Sequence, residues 1–195
     1  MNILLTGHSR WIWKYLYEKL QENYNIFWFS RQNGFDLLKK ETFEKIKNSI
    51  KDKNLDILIL NAGIASFGKF EENSLEDYEN IINLNLLANI RLLKILKENI
   101  TPKTKIVFIW SIISKKFMKW ASVYQASKFG LRGLAGWLKN EWKKVFIINP
   151  KIVDTWFHNW KVELNPNWQK TELEDIYQVV NNIILWKEKR FEIDL

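Results

Sequence analysis

Tyr124 and Lys128 are the residues of this chain whose types and spacing most clearly suggest chemistry. In a helix, residues four apart lie on the same face, so this spacing places a phenol beside an ammonium group. A neighbouring positive charge favours the phenolate and is expected to lower the pKa of Tyr124. Tyr124 is therefore a candidate general acid or base near neutral pH. Exposed Tyr–Lys pairs are also common on helices, so the pair alone does not establish catalysis.

Apolar runs typical of buried strands alternate along the chain with helical patterns. The predicted strands are Asn2–Leu5, Asn25–Phe29, Asp56–Leu60, Lys105–Trp110, Val145–Asn149 and Phe191–Leu195. The predicted helices are Trp13–Glu22, Glu41–Lys51, Leu75–Asn99, Ser122–Trp142 and Leu173–Trp186. This alternation predicts an α/β fold in which helical crossovers join parallel strands. We expect a doubly wound parallel sheet, the Rossmann fold, in a single domain over residues 1–195.

Polar and small residues stand where the predicted strands end, and ligands of such sheets bind beyond the carboxyl ends of the strands. Thr6-Gly7 ends the first strand, Asn61-Ala62-Gly63 the third, and Ser111 the fourth, while Asn85 lies within Ile82–Leu86. Together with Tyr124 and Lys128, and in this order, these elements resemble the short-chain dehydrogenase/reductase family. The resemblance covers nearly the whole chain, from Asn2 to about Leu195.

The resemblance implies an NAD(P)-dependent oxidoreductase that transfers a hydride between NADP(H) and a small carbonyl or alcohol substrate. Tyr124 would donate a proton to the developing alkoxide, and Ser111 would hydrogen-bond the substrate oxygen. Lys128 would lower the pKa of Tyr124 and hold the nicotinamide ribose. Asn85 would hold a water that links Lys128 to solvent.

The resemblance also implies a set of cofactor-binding residues. They are Gly7, Ser9, Arg10, Trp11, Ile12, Arg31, Asp36, Asn61, Ala62, Gly63, Tyr124, Lys128, Val153 and Thr155. Asp36 would contact the adenine, and Asn61-Ala62-Gly63 would pass beneath the adenine ribose. Arg10 and Arg31 stand where an arginine accommodates the 2′-phosphate of NADP, so we expect NADP(H) rather than NAD(H). In the segment Asn149–Thr155, which resembles the loop that closes on the nicotinamide, Lys151 replaces a glycine of the family pattern.

The first turn departs from the family pattern TGxxxGxG. Trp11 and Trp13 stand at its second and third glycine positions. Glycine there allows a tight turn and close approach of the cofactor pyrophosphate to the helix. An indole at position 11 or 13 is expected to obstruct the pyrophosphate site, so replacing both with glycine would restore NADPH binding.

Tryptophan is abundant, with 11 in 195 residues. Several stand where the family commonly has a small residue: Trp11, Trp13, Trp28, Trp110, Trp120 and Trp137. Some bacterial lineages read the UGA codon as glycine, so translation with another code would convert a subset of glycines to tryptophan. We favour this hypothesis over a degenerate cofactor site with genuine tryptophans. UGA codons at positions 11 and 13 would support it, and UGG codons would exclude it.

Composition limits the other classes of function. The net charge is +8, but the lysines are spread along the chain, so we expect a solvated basic surface and no nucleic-acid partner. The chain has no cysteine and only His8 and His158, so we expect no metal site. No apolar run is long enough to cross a membrane and no signal peptide is visible, so we expect a cytoplasmic protein without a membrane partner.

Two helices carry more apolar residues than one core-facing stripe requires: Leu86, Leu87, Ile90, Phe129, Leu131, Leu134 and Leu138. In the family that it resembles, this helix pair packs against its symmetry mate, so we expect a homodimer or homotetramer. Phe117, Met118, Phe157 and Trp160 are candidates for an apolar substrate pocket, for the core or for dimer contacts. The alternative function is a catalytically inactive dinucleotide-binding or scaffold protein with the same fold.

Overall fold

The computed structural model describes residues 1–7, 12–115, 117–142, 144–153 and 169–195. Six parallel strands form one sheet in the order β2-β1-β3-β4-β5-β6. The strands are β1 (Asn2–Thr6), β2 (Asn25–Phe29), β3 (Leu55–Leu60), β4 (Ile100–Ile109), β5 (Val145–Asn149) and β6 (Glu192–Asp194). The order reverses between β1 and β3, which confirms the predicted doubly wound α/β sheet.

Six α-helices flank the sheet in the described part of the chain. They are α1 (Ile12–Leu20), α2 (Glu41–Ser49), α3 (Leu75–Ile82), α4 (Ala88–Ile95), α5 (Ser122–Trp142) and α6 (Leu173–Ile184). None of these helices is long and apolar enough to cross a membrane.

The two faces of the sheet bury separate cores because neighbouring strand residues point to opposite sides. Leu4 and Leu58 pack with residues of α2, α4 and α5 on one face. Ile3 and Ile57 pack with residues of α1 and α6 on the other. The central strands are buried on both faces, which explains why they read as continuous apolar runs in the sequence.

The long helix predicted over Leu75–Asn99 is present as a continuous helical segment over Leu75–Ile95, with a π-helical turn inside it. A π-helical turn at Asn83–Leu87 separates α3 from α4, and the helix ends at Ile95. A π turn inserts an extra residue and often marks a functional site. Here it carries Asn85, whose side chain bonds the backbone of Ile64 at the end of β3.

The fourth strand begins earlier than predicted, at Ile100 rather than Lys105. Its register with β3 shifts between Leu55 and Ile57, and the irregularity accommodates Pro102 within the strand. The Thr104 hydroxyl donates to the Leu55 carbonyl across this shift, at 2.6 Å.

The last helix ends at Ile184, two residues before the predicted end at Trp186. Trp186 has φ +62°, in the left-handed region. Its N–H donates to the Ile183 carbonyl, and the Lys187 N–H donates to the Asn182 carbonyl. This pair of bonds is the Schellman motif, whose left-handed position is usually glycine.

Lys105 lies at the same helix end, within the buried part of β4. Its ammonium donates to the carbonyls of Ile183 at 2.7 Å and Ile184 at 2.9 Å and lies 3.6 Å from the centroid of the Trp186 ring. Burial, followed by the charge of Lys144, lowers the pKa of Lys105 to about 8. The bond to Ile184 reaches a carbonyl of the last helical turn, where carbonyls lack partners within the helix, and the bond to Ile183 adds a second donor to a carbonyl that also accepts from Trp186.

Trp120, which is one of the tryptophans predicted to replace a glycine, also has a left-handed backbone, with φ +61°. Only glycine adopts this conformation routinely, because in other L-residues Cβ lies too close to a carbonyl oxygen. The backbone at Trp120 and Trp186 therefore favours glycine on physical grounds that are independent of any sequence pattern.

Replacing Trp120 by glycine is expected to stabilise the protein by about 1 kcal/mol. Relief of the left-handed backbone contributes roughly 1–2 kcal/mol, and the greater freedom of glycine in the unfolded chain costs about 0.5–1 kcal/mol. Urea denaturation of the two proteins measures the difference.

The control is Lys45→Gly, at an exposed position in the interior of α2. Glycine in a helix interior is unfavourable, so this variant should lose about 1 kcal/mol. An equal loss of stability in both variants would show that the backbone at Trp120 is not strained.

Candidate active site

Ser111 and Tyr124 meet at the carboxyl edge of the sheet. Ser111 follows the end of β4, and Tyr124 lies in the first turn of α5. A hydrogen bond joins their side chains. Tyr124 is 5% exposed and packs edge-on against Phe67, with the ring centroids 5.8 Å apart. The structure therefore brings the side chains of Ser111 and Tyr124 together.

Lys128 lies one turn further along α5, on the same side as Tyr124. Its ammonium nitrogen is 5.5 Å from the centroid of the Tyr124 ring and 5.8 Å from that of Trp110. At this distance a cation is attracted to the face of an aromatic ring. The side chain is buried, and burial lowers the pKa of Lys128 to about 8.

The predicted direction of the Tyr124 pKa is wrong. Burial raises the pKa of Tyr124 well above its ordinary value, and the hydrogen bond with Ser111 only partly counteracts that increase. The charge of Lys128 favours the phenolate, but the cost of burying a phenolate outweighs that effect. At neutral pH the phenol therefore keeps its proton.

Asn85 connects the π-helical turn to the end of β3 and to the helix that carries Tyr124. Its Oδ1 accepts from the N–H of Ile64 at 2.8 Å, and its Nδ2 donates to the Ile64 carbonyl at 2.8 Å. The same Nδ2 lies 3.0 Å from the Ser127 hydroxyl, which in turn donates to the Tyr124 carbonyl at 2.6 Å. The side chain of Asn85 thus positions backbone segments around the site.

Two glycines lie in close approach to neighbouring side chains. A Cβ on Gly63 would lie 3.2 Å from Oδ1 of Asn85 and 3.5 Å from Nζ of Lys128. A Cβ on Gly7 would lie 2.5 Å from Nδ2 of Asn61, which is a clash. The predicted ribose-binding segment Asn61-Ala62-Gly63 therefore packs directly against the first turn and the candidate catalytic residues.

A cavity opens beside this segment, between the ends of β1, β2 and β3. Four predicted cofactor-binding residues line it: Gly7, Arg31, Asp36 and Ala62. Its other lining residues include Phe29, Phe35, Ile64 and Leu84, which make much of the wall apolar. Such a mix of apolar walls and a few polar groups suits a planar heterocycle with charged substituents.

The loop that presents Arg31 has a defined conformation. The Ser30 hydroxyl accepts from the N–H of Gln32 at 3.2 Å. Asn33 accepts from the N–H of Ser30 at 2.8 Å and donates to the Trp28 carbonyl at 2.7 Å. Gly34 ends the turn with φ +86°. On the far side of the cavity, Asp36 accepts from the N–H of Leu38 at 3.0 Å.

The indole of Trp13 does not lie where the sequence argument placed it. It is 7% exposed and stacks on Trp28 within the core beneath α1, with the ring centroids 5.0 Å apart. Trp13 thus fills the space between helix and sheet, where the family's third glycine permits close packing. The Trp13 ring therefore lies in the core, and its Cβ is 3.2 Å from the position that a Cβ on Gly7 would take.

Other predicted cofactor residues are distributed between the core and the rest of the chain. Val153 is buried in the core on the α1 and α6 face, and Ile12 packs against that core. Ser9, Arg10, Trp11 and Thr155 lie outside the described residues, as do Phe157 and Trp160.

Two buried tryptophans near the site each leave a polar atom without a hydrogen-bond partner. Among the described residues, the indole nitrogens of Trp13 and Trp110 are buried without a hydrogen-bond partner. Each such buried donor costs about 1–3 kcal/mol. At both positions the family commonly has a small residue. The cost therefore supports the hypothesis that these tryptophans stand in place of glycines.

Sequence reasoning missed Ser127 and Phe67. Ser127 is fully buried and links Asn85 to the Tyr124 backbone, although it lies between the two residues that were singled out. Its position directly before Lys128, on a buried turn of helix, was the available signal. Phe67 carries no sequence signal that would distinguish it from an ordinary core residue.

Solved structures share this architecture over the whole chain. A short chain dehydrogenase family protein from Francisella tularensis has a TM-score of 0.85 at 22% identity, covering 100% of this chain and 96% of that one. An alcohol dehydrogenase from Thermococcus sibiricus, complexed with 5-hydroxy-NADP, has a TM-score of 0.80 at 22% identity. The match covers 100% of this chain and 95% of that one. At these identities the likeness shows the fold.

Sequence relatives match over shorter stretches. Ketoacyl reductase HetN from Nostoc sp. is 42% identical over 79 residues, which is 40% of this chain and 28% of that protein. Matches to curated relatives of this kind span 28% to 42% of their length. A family model described as short chain dehydrogenase matches residues 16–163. That match covers most of the chain and includes Asn85, Ser111, Tyr124 and Lys128, and the chain therefore belongs to the short-chain dehydrogenase family.

Proposed function

We propose that this protein is an oxidoreductase that transfers a hydride between NADP(H) and a small carbonyl or alcohol substrate, with Tyr124 as the general acid or base. The observation that carries the proposal is the hydrogen-bonded pair of Tyr124 and Ser111, with Lys128 on the same helix face. The pair lies at the carboxyl edge of the sheet, where such folds bind dinucleotides.

The protonation states favour Tyr124 as a donor. The raised pKa keeps the phenol protonated at neutral pH, so it can donate to an alkoxide that forms during reduction. Ser111 contacts the phenol, and rotation of its hydroxyl away from Tyr124 would let it donate to the same substrate oxygen. Lys128, with a pKa of about 8, still holds its proton near pH 7. The nicotinamide, when bound, supplies the hydride.

The residues lining the cavity fit the adenosine end of the cofactor. Arg31 and Asp36 flank a largely apolar wall near the carboxyl end of β2, and no acidic residue stands directly after that strand. A guanidinium at this position suits a 2′-phosphate, whereas NAD sites use a carboxylate to hold the 2′-hydroxyl. NADP(H) is therefore the proposed cofactor.

An apolar surface on α4 and α5 supports a homodimer. Ile90 is 41% and Trp137 59% exposed, although Leu131 and Leu138, which were predicted to contribute, are buried in the core. Leu86, Leu87, Phe129 and Leu134 are only half-buried. The same surface on a second copy of this chain is the proposed partner, in an isologous interface.

The substrate pocket is proposed to be open and apolar. Phe117 is 93% exposed and stacks on Phe129, with the ring centroids 5.7 Å apart, and Met118 is 38% exposed. Both residues follow Ser111 in the chain. Their exposure is consistent with substrate contact and also with the proposed dimer, so the substrate stays defined only as a small carbonyl or alcohol compound.

Tyr124→Phe is expected to lower turnover about 10²-fold or more, because it removes the proton donor and preserves the ring that packs on Phe67. The measurement is NADPH oxidation with a panel of carbonyl compounds, in the chain carrying Trp11→Gly. The control is Tyr177→Phe, in α6 on the opposite face of the sheet, which should leave turnover unchanged. Undiminished turnover in Tyr124→Phe would remove this residue from the mechanism. NADPH binding by the Trp11→Gly chain without turnover on any compound would favour an inactive dinucleotide-binding protein.

Sedimentation at micromolar concentration is expected to give twice the mass of one chain. Trp137→Glu should yield a folded monomer, because it places a charge in the proposed apolar interface. Leu75→Glu is the matched control, since Leu75 is 73% exposed at the start of α3, where an acidic residue suits the helix end. A monomeric wild-type protein, or dissociation by Leu75→Glu alone, would contradict the proposed surface.

A further inference from the structure

A cluster of charged side chains lies beside the candidate active site, around the last strand of the sheet. The Lys115 ammonium contacts both carboxylate oxygens of Asp194, at 2.7 and 2.9 Å, and Oε1 of Glu192 at 3.3 Å. Arg132 of α5 contacts the other oxygen of Glu192 at 3.1 Å. Asn149, at the end of β5, donates to Glu192 and to Asp194, each at 2.9 Å.

The cluster is partly withdrawn from water. The side chains of Glu192 and Lys115 are 17% and 25% exposed, whereas those of Arg132 and Asp194 are 42% and 49% exposed. Burial pushes the pKa of Glu192 upward, but the bonds from Asn149 and Arg132 and the charges of Lys115 and Arg132 bring it below its ordinary value. Such pairs are screened less by solvent and salt than surface pairs are. They can therefore hold chain segments in one arrangement.

One of those segments is the turn that begins at Ser111. A 3-10 helix at Ile112–Lys115 follows Ser111 directly, so Lys115 is its last residue. The Ser111 carbonyl accepts from the N–H of Ser114 at 3.1 Å, and its hydroxyl accepts from the N–H of Ile113 at 3.4 Å. Movement of Lys115 would therefore be transmitted to Ser111 through a single short turn.

The other segment is the helix that carries Tyr124. Arg132 lies eight residues, or about two helical turns, beyond Tyr124 on α5. Lys115 and Arg132 thus attach the Ser111 turn and the Tyr124 helix to the same carboxylate of β6. The last strand of the chain connects the two elements whose side chains must meet.

We propose that Lys115 is a positioning residue that holds the Ser111 hydroxyl against Tyr124 by anchoring the turn at Ile112–Lys115 to Glu192 and Asp194. The inference rests on the proposed function, since it assigns Lys115 an effect through Ser111. The geometry also gives β6 a role in the site, although none of its residues touches Tyr124 or Ser111 in the bonds described above.

The test is a double-mutant cycle between Lys115→Met and Ser111→Ala in the chain carrying Trp11→Gly, with NADPH and a carbonyl compound that this chain reduces. Lys115→Met should lower kcat about 10-fold or more and leave the Kd of NADPH unchanged, because a small misplacement of a catalytic group is costly. In the Ser111→Ala background, Lys115→Met should not lower kcat further. Lys115→Arg should recover most of kcat, since it keeps the charge.

The matched control is Lys119→Met, which removes an exposed lysine of the same loop and should leave kcat unchanged. Thermal unfolding of each variant shows whether the protein is folded. If Ser111→Ala lowers kcat and Lys115→Met lowers it by the same factor in both backgrounds, Lys115 does not act through Ser111 and the inference fails alone. The inference also fails alone if Lys115→Met leaves kcat unchanged. If Ser111→Ala leaves kcat unchanged, the role of Ser111 in the proposed function fails together with the inference.

Discussion

The parallel sheet places the carboxyl ends of β1, β3 and β4 at one edge, and the candidate site depends on this arrangement. Gly7, Gly63 and Ser111 follow those three ends. The approach is close enough that a Cβ on Gly7 would clash with Asn61 and one on Gly63 would press on Asn85. The π-helical turn then lets Asn85 bond the Ile64 backbone on one side and Ser127 on the other. Backbone geometry alone thus brings a helix, two loops and the sheet edge to one point.

Burial determines how these groups ionise. The same packing that brings Tyr124 and Lys128 together removes both from water, which raises the pKa of the phenol and lowers that of the ammonium. Both shifts favour the neutral forms, because each charge is costly in an apolar setting. The site therefore suits a protonated phenol acting as an acid, and Ser111 provides the hydrogen bond that makes its ionisation less costly.

The sequence predicted the fold, and the candidate residues that the structure brings together, for identifiable reasons. Continuous apolar runs predicted the strands, and β2 and β5 have the predicted bounds, as does α5. The spacing of Tyr124 and Lys128 is a local property of a helix and could be predicted. The π-helical turn, the direction of the Tyr124 pKa and the position of the Trp13 ring could not, because each depends on packing between distant segments. The left-handed backbone of Trp186 was missed for the same reason, since only the helix end defines it.

Calorimetric titration with NADPH and NADH tests most directly whether the cavity at Arg31 and the Tyr124 site form one dinucleotide site. The protein is the chain with Trp11→Gly, which removes the remaining indole of the first turn, compared with the same chain carrying Arg31→Ala. Charge-assisted hydrogen bonds to the 2′-phosphate contribute about 1.5–3 kcal/mol, so NADPH should bind at least about tenfold more tightly than NADH. Arg31→Ala should reduce that preference. Equal affinity for the two cofactors, or no binding of either, would contradict the account.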